Sequence, residues 1–409
     1  MNLLRISPRH QFHQSIQFLP TSKSICNRAL VLNALADNKA ELLNLSDAND
    51  TQLMIRHINS ADNQIDVEDA GTVMRFLTAY FAVQPKETIL TGTARMKERP
   101  IGILVDALTE IGASIEYLEK PGYPPLKINP FTQQKSNSVT VRGDISSQFI
   151  SALMMIATQL PNGLSIHLTG NIGSIPYLQM TANLMRKFGA HVTWEGNTIV
   201  VEKGLPGTTQ LVMEGDWSAA SYWFAFVALA NDASLTLPNL PLRSLQGDRV
   251  IVDLMETLGV SCEPRGNQIL LRKKESNSFF SADFSNCPDL AQTIAVVCAA
   301  KQIDAEFTGL ESLRIKETDR IAALQHELAK IGATLTETET GKWKLLSPKI
   351  VPKEIRVKTY HDHRMAMAFA PLATIMHVII EEPEVTKKSY PNFWKDMALL
   401  GFVMSDEKV

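Results

Sequence analysis

Cysteine is scarce in this sequence, four in 409 residues. Cys26, Cys262, Cys287 and Cys298 have no close paired spacing, so they outline no disulfide framework. They read as reduced, mostly buried thiols of a cytoplasmic protein. Long apolar runs are missing too. None approaches the ~20 residues a membrane-spanning helix needs. The first residues carry Arg5, Arg9, His10 and His13 with no uninterrupted apolar stretch, so no targeting segment is expected there. Nor is there an excess of one charge. The net charge of −3 supplies no basic field for nucleic acid or an acidic membrane surface. What the chain does have is 45% hydrophobic and 20% charged residues, the balance of a globular protein with a large core. At roughly 150 residues per domain, two or three domains are expected.

An internal repeat organises the chain. A polar cluster opens a helix of small and apolar residues, first at Ser22-Lys23-Ser24, then at Asp69-Ala70-Gly71-Thr72 and Ser146-Ser147-Gln148. It returns at Asp216-Trp217-Ser218, Pro288-Asp289 and Asp362-His363-Arg364. From the second cluster onward the starts lie about 70–77 residues apart. The first interval is shorter by about 25 residues, so the first unit is truncated. In phase with this, helical stretches end at Gly112, Gly189, Gly259, Gly332 and Gly401, the expected C-terminal caps. Alternating stretches follow, such as His191 to Val201 with Gly196-Asn197 as the turn. Each unit reads as strand, helix, strand, helix, strand, strand. The short first unit lacks its glycine and hairpin. The expected fold class is α/β (α+β), two domains of three units each. Residues 21–215 form one domain, and 216–409 with 1–20 form the other, the strand-like Asn2–Ile6 joining the latter. Two chain crossings would make a hinge, and a ligand site between the domains is the expected consequence.

Helix starts present unpaired N–H groups and partial positive charge, and so attract anions. Each cluster alone reads as ordinary capping by Ser, Thr or Asp. Capping does not explain the cations that accompany the clusters: Lys23, Arg28, Arg75, Arg99, Lys316, Arg320, Arg364 and Lys388. Arginine offers a planar fork for carboxylate or phosphate. In Lys316-Glu317-Thr318-Asp319-Arg320, a helix would set Lys316 and Arg320 on one face and let Glu317 pair with Arg320. That segment reads either as a solvated face or as a cationic claw with one carboxylate for proton transfer. His361 and His363 are spaced to share a metal, but no third ligand cluster accompanies them, and no metal is assigned. Asp362 is expected to cap a helix, with Arg364 aimed at a ligand.

Taken together and in order, these motifs resemble the shikimate-pathway enolpyruvyl transferase family over nearly the whole chain. The carriers are Ser22-Lys23-Ser24 with Asn27-Arg28, Ala70-Gly71-Thr72 with Arg75, Arg95 to Pro100, Ser146-Ser147-Gln148, and Ser174-Ile175-Pro176-Tyr177. Glu214-Gly215-Asp216, Pro288-Asp289, Arg314 to Arg320 and Asp362-His363-Arg364 continue the series. The resemblance implies two inside-out α/β barrels of three units with buried helices. It implies transfer of the enolpyruvyl group of phosphoenolpyruvate to shikimate 3-phosphate, with no cofactor and no metal, by a cytoplasmic monomer whose partners are these two small molecules. It implies that Lys23, Ser24, Arg28, Ser146, Ser147, Gln148, Ser174, Tyr177, Asp289, Ser312 and Lys316 hold shikimate 3-phosphate. Lys23, Gly71, Arg99, Gln148, Arg320, Arg364 and Lys388 would hold phosphoenolpyruvate. Asp289 is the candidate base at the hydroxyl and Glu317 the candidate acid/base at the methylene. Lys23 and Arg320 would stabilise the leaving phosphate. Glyphosate, an anionic mimic of phosphoenolpyruvate, is expected to compete with it.

Several positions depart from the family's commonest pattern. Thr21 replaces Gly, Glu68 and Asp69 replace Gly and Asn, and Ser312 replaces Asn. Asp69 reads as a helix cap that either points away from the ligand or weakens binding of an anion. Two alternatives remain. The related transferase acting on UDP-N-acetylglucosamine carries a catalytic cysteine in a loop that here, at Arg95 to Pro100, has none. A non-catalytic anion-binding homologue is the other.

Overall fold

Several helices of this chain are apolar on nearly every side, which commits them to the interior. The computed structural model describes residues 2–144, 146–348 and 352–408. The chain divides into two compact units. One is Met1–Ser22 with Glu214–Val409; the other, inserted in its sequence, is Lys23–Met213. The inserted unit holds α1 (Lys23–Leu35), α2 (Asn49–Ile58), α3 (Gly71–Phe81), α4 (Gly102–Ile111), α5 (Ser147–Ala157) and α6 (Ile175–Lys187). The other unit holds α7 (Trp217–Leu229), α8 (Ile251–Thr257), α9 (Ala291–Ala300), α10 (Arg320–Lys330), α11 (His363–Phe369) and α12 (Phe393–Leu399). Among the described residues no helix is long and apolar enough to cross a membrane.

All of α3 is buried except Thr72, all of α5 except Gln148, and all of α7 except Ser218. Each exception is the second residue of its helix and is polar. The buried helices therefore come toward the surface at their N-terminal ends, where their unpaired N–H groups lie.

The strands form five four-stranded sheets and one two-stranded sheet among the described residues. In the inserted unit the sheets run Gln64–Asp66, Thr88–Thr91, Leu126–Ile128, Ile115–Tyr117 and Ser138–Arg142, Leu164–Thr169, Thr198–Val201, Val192–Glu195. In the other unit they run Gln11–Ser15, Asp232–Leu237, Gln268–Lys273, Val260–Arg265 and Phe279–Asp283, Asp304–Thr308, Lys342–Leu346, Thr334–Glu339. The last is Glu354–Val357, His377–Glu381, Asn2–Ile6, Met404–Lys408. All five share one pattern: the first pair is parallel and the next two are antiparallel. In the last sheet the chain's own N-terminal strand takes a place that a hairpin strand fills in the others. The sixth sheet is one parallel pair, Glu41–Leu43 with Gln210–Val212. Residues 59–63 lead from α2 to the next strand without a hairpin. Strands such as Leu164–Thr169 alternate buried and more exposed residues, so each covers helices with one face and meets water with the other.

One local expectation is corrected. Lys316 and Arg320 do not share a helix face, because Lys316 to Thr318 are non-helical and α10 begins only at Arg320. Asp319 stops the helix from starting earlier: its carboxylate accepts from the Ile321 and Ala322 amides, both at 3.1 Å, which makes it the N-cap.

Gly112 ends α4 with φ 124°, and a Cβ there would sit 2.4 Å from the Gln133 carbonyl oxygen. Gly112→Ala is expected to lower stability by about 2 kcal/mol or more. The check is a lower urea midpoint at unchanged slope.

Candidate active site

In the inserted unit, α1 packs against α3, α5 and α6, so the polar first turns of four helices belong to one bundle. Lys23 begins α1, and its ammonium lies 3.1 Å from the Asp50 carboxylate, which is nearly buried. One turn on, Arg28 is 2% exposed. Its guanidinium donates to the Ser24 carbonyl at 2.9 Å, to the Thr181 hydroxyl at 2.7 Å and to the Ser151 hydroxyl at 3.3 Å. It lies over the rings of Phe76 at 5.2 Å and Tyr177 at 6.0 Å. Among the described residues no carboxylate reaches it within salt-bridge distance, and burial pushes its pKa down to about 10. Its charge is thus met by neutral acceptors and ring faces and not by a carboxylate.

Ser146 caps α5, accepting from the Gln148 amide at 3.4 Å. The Gln148 side chain donates to the Thr72 hydroxyl at 2.9 Å and so links the first turns of α5 and α3. Ser147 is buried beside it. Ser174 precedes α6 in left-handed backbone, φ 54°, without a side-chain cap bond. Arg99 lies against α3 so closely that a Cβ on Gly71 would fall 2.6 Å from its Nη1. Asp69 does not cap α3. That place is Ala70, because the helix begins at Gly71 and a cap must directly precede it. The Asp69 carboxylate accepts from the Thr93 hydroxyl instead, and its carbonyl accepts from Arg99 at 3.4 Å.

In the other unit α7, α9 and α11 pack on one another, and the charged residues gather around one guanidinium. Arg320, 2% exposed, places Nε 2.6 Å from Asp362, Nη1 3.1 Å from Asp289 and Nη2 2.8 Å from Glu317. Arg364 reaches Asp289 at 2.8 Å and the Tyr222 hydroxyl at 3.2 Å. Lys388 reaches Glu317 at 3.3 Å, and the charge of Lys316 acts on Asp289. Lys316, Arg320, Arg364 and Lys388 thus gather around Asp289, Glu317 and Asp362. Burial alone would raise the Asp289 pKa. Arg364, Lys316 and Arg320 outweigh it and hold the carboxyl well below the usual range. Burial likewise opposes the Arg320 charge, but Asp362, Glu317 and Asp289 more than offset it. Tyr390 anchors the segment carrying Lys388, donating to Asp396 at 2.7 Å and accepting from Trp223 at 3.2 Å.

Ser312 is exposed in the short 3-10 turn Glu311–Ile315, and no hydrogen bond among the described residues ties it to this cluster. His361 and His363 do not converge. The first is exposed and lies 2.9 Å from Glu382, while the second is buried. Among the described residues no group of three or more His, Cys, Asp or Glu is placed to hold a metal.

Sequence reasoning missed Asp50, Tyr222 and Asp248. Asp50 looks like a first-turn acid of α2, and Tyr222 like core aromatic in α7. Asp248 is buried, accepts from the Ser218 hydroxyl and leaves its Oδ1 without a partner. Burial, with the nearby Asp289, pushes it up to about 7. Only packing reveals these three. Asp362 was legible as a cap, accepting from the Arg364 amide at 2.8 Å; its pairing with Arg320 was not.

The family model described as EPSP synthase (3-phosphoshikimate 1-carboxyvinyltransferase) matches residues 55–397. The chain belongs to that family. It is 44% identical over 401 residues to a 3-phosphoshikimate 1-carboxyvinyltransferase of Bacteroides fragilis (strain YCH46), covering 97% of both chains. It is 35% identical over 410 residues to one of Methanospirillum hungatei JF-1, covering 92% of this chain and 94% of that one. The solved EPSP synthase of Acinetobacter baumannii superposes with TM-score 0.78 at 19% identity over 100% of both chains, a likeness of fold.

Because the folded-state pKa of Asp289 is depressed, its ion pairs contribute stability fully above the unfolded value near ~3.9 and lose it as pH falls below that. Asp289→Asn is expected to be less stable at pH 7 by about 1–3 kcal/mol and to lose less stability between pH 5 and 2, at about the slope of one carboxyl fewer. Parallel acid-denaturation curves for the two proteins would contradict this.

Proposed function

We propose that this chain transfers the enolpyruvyl group of phosphoenolpyruvate to the 5-hydroxyl of shikimate 3-phosphate and releases phosphate. The reading is carried by one observation in a chain of this family: the two acid–base candidates, Asp289 and Glu317, sit on the same buried guanidinium. The hydroxyl oxygen attacks C2 of phosphoenolpyruvate and gives its proton to Asp289, while Glu317 delivers a proton to the C3 methylene. The resulting tetrahedral intermediate then returns a proton from the new methyl group to Glu317 as the carbon–oxygen bond to phosphate breaks. At rest Asp289 is a poor base. An arriving anion competes for Arg364 and Arg320, loosens their hold on Asp289 and raises its affinity for a proton. Lys23 and Arg320 stabilise the departing phosphate.

Shikimate 3-phosphate is held by Lys23, Ser24, Arg28, Ser146, Ser147, Gln148, Ser174, Tyr177, Asp289, Ser312 and Lys316. The buried Arg28, with no carboxylate of its own, is the main support. Phosphoenolpyruvate is held by Lys23, Gly71, Arg99, Gln148, Arg320, Arg364 and Lys388. The close approach of Arg99 to Gly71 supports this, since any side chain at position 71 would displace the guanidinium. The architecture is read as two inside-out α/β barrels of three units, residues 21–215 and 216–409 with 1–20, the first unit truncated. Five sheets of one pattern and a sixth reduced to two strands support the repeat. The buried helices support the inside-out arrangement. The protein acts in the cytoplasm as a monomer, without cofactor or metal, and is a glyphosate target.

A phosphate-release assay tests the reading. Release is expected only with both substrates present, and Lys23→Met is expected to cut kcat by about 100-fold or more. Shikimate 3-phosphate binding in calorimetry without any phosphate release would select an anion-binding homologue. Release with UDP-N-acetylglucosamine as acceptor would select the related transferase.

Gly71→Ala provides a second test. It is expected to raise KM for phosphoenolpyruvate roughly tenfold while leaving KM for shikimate 3-phosphate unchanged. Equal change in both constants would count against the placement of Arg99 on phosphoenolpyruvate.

A further inference from the structure

Tyr360 and His361, just ahead of Asp362, both have φ of 55°. This is left-handed backbone, uncommon for any side chain with a Cβ and an outlier for a bulky one. Two such residues in succession persist only where their surroundings hold them. His361 is largely exposed, its ring against Glu382, so most of the restraint must come through Tyr360.

That restraint is visible. The Tyr360 hydroxyl donates to Glu327 Oε1 at 2.9 Å and also meets His326 Nδ1. Glu327 is fully buried. Its other oxygen accepts from Lys330 Nζ at 2.7 Å and from the Lys358 amide at 3.2 Å. Both carboxylate oxygens are therefore engaged, and the side chain is locked. Glu327 lies on α10 about two turns after Arg320, on the same face. One helix thus grips the 358–362 segment at two places. Glu327 takes Lys358 and Tyr360, and Arg320 takes Asp362 at 2.6 Å. Asp362 in turn caps α11, and α11 carries Arg364 to Asp289 and Tyr222.

We propose that Tyr360, anchored on Glu327, is a positioning residue that holds the Tyr360–His361 turn in its left-handed form so that Asp362 and Arg364 meet Arg320 and Asp289. Neither Tyr360 nor Glu327 touches a reacting group. The turn costs free energy, and the hydroxyl–carboxylate bond offsets it. Without that bond the turn relaxes, Asp362 withdraws from Arg320, and the first turn of α11 shifts with it. The kinetic form of this inference rests on the proposed function, because Arg320 and Arg364 are the groups assigned there to phosphoenolpyruvate.

The test is Tyr360→Phe, which keeps the ring and removes only the hydroxyl. At a temperature well below melting, kcat/KM for phosphoenolpyruvate is expected to fall about tenfold to 100-fold, with KM for shikimate 3-phosphate unchanged. His361→Gly alone leaves the rates at wild-type level. Added to Tyr360→Phe it restores part of the loss, because glycine adopts this backbone without help at one of the turn's two left-handed positions. A lowered Tm with wild-type phosphoenolpyruvate kinetics, or no rescue by His361→Gly, overturns the proposal. Should Tyr360→Phe fail to fold, Glu327→Gln gives the same readings. It weakens the anchor while keeping its shape, so a smaller loss rescued by His361→Gly is expected, and unaltered kinetics overturn the proposal. If the wild-type protein releases no phosphate, the functional reading fails by itself. Crystallography of Tyr360→Phe then decides the inference: a displaced Asp362 supports it, and an Asp362 still seated on Arg320 overturns it.

Discussion

One arginine side chain sets the terms for the charged cluster of the larger unit. Arg320 is 2% exposed and touches Asp289, Glu317 and Asp362 at once. Burying a guanidinium without partners would be prohibitive, and three carboxylates brought together without a cation would repel one another. Each group is tolerable because of the others. The cluster therefore fixes where the proton-transfer candidates stand, and Arg364 and Lys388 complete it from α11 and the segment anchored by Tyr390. The arginines of such a cluster can exchange internal carboxylate contacts for those of an anionic ligand, since the incoming charge replaces what they give up.

The fold supplies the frame for this. Helices as apolar as α7 and α9 belong in a core, and sheets with one buried face cover them. Putting the helices inside leaves their N-termini as the polar points of an otherwise greasy interior. Thr72, Gln148 and Ser218 mark those points, each at the second position of its helix. The inserted unit treats its arginine differently. Arg28 is satisfied by hydroxyls, a carbonyl and aromatic faces, with no carboxylate in reach. One unit thus holds an arginine balanced by acids, and the other holds one that keeps its net charge.

Much of the candidate site's residue content was legible in the sequence because caps and cations are local signals. Asp216, Asp319 and Asp362 each accept the amide bonds of a helix N-cap, though the sequence reading gave that role only to the first and last. Where local reasoning failed, a neighbour distant in sequence had decided the matter. Asp69 was read as a cap because it precedes a helix, but its carboxylate is claimed by Thr93. Lys316 and Arg320, four apart, would share one face of a helix, but Asp319 caps α10 and delays its start. Asp50 and Tyr222 carried no signal at all, since an acid in a helix's first turn and an aromatic in a buried helix are ordinary.

The sequence by itself determined caps such as Asp216, Asp362 and the glycine that ends α4, and the residue types able to handle anions. These follow from rules acting over a few residues, and the chain states them in order. Tertiary structure alone decided which charges neutralise one another. It sets Arg320 against Asp289, 31 positions away, and Asp362, 42 positions away, and it leaves Arg28 without an acid. A side chain's charge is written in its own letter, but its counter-charge is chosen by packing, and packing depends on the whole chain.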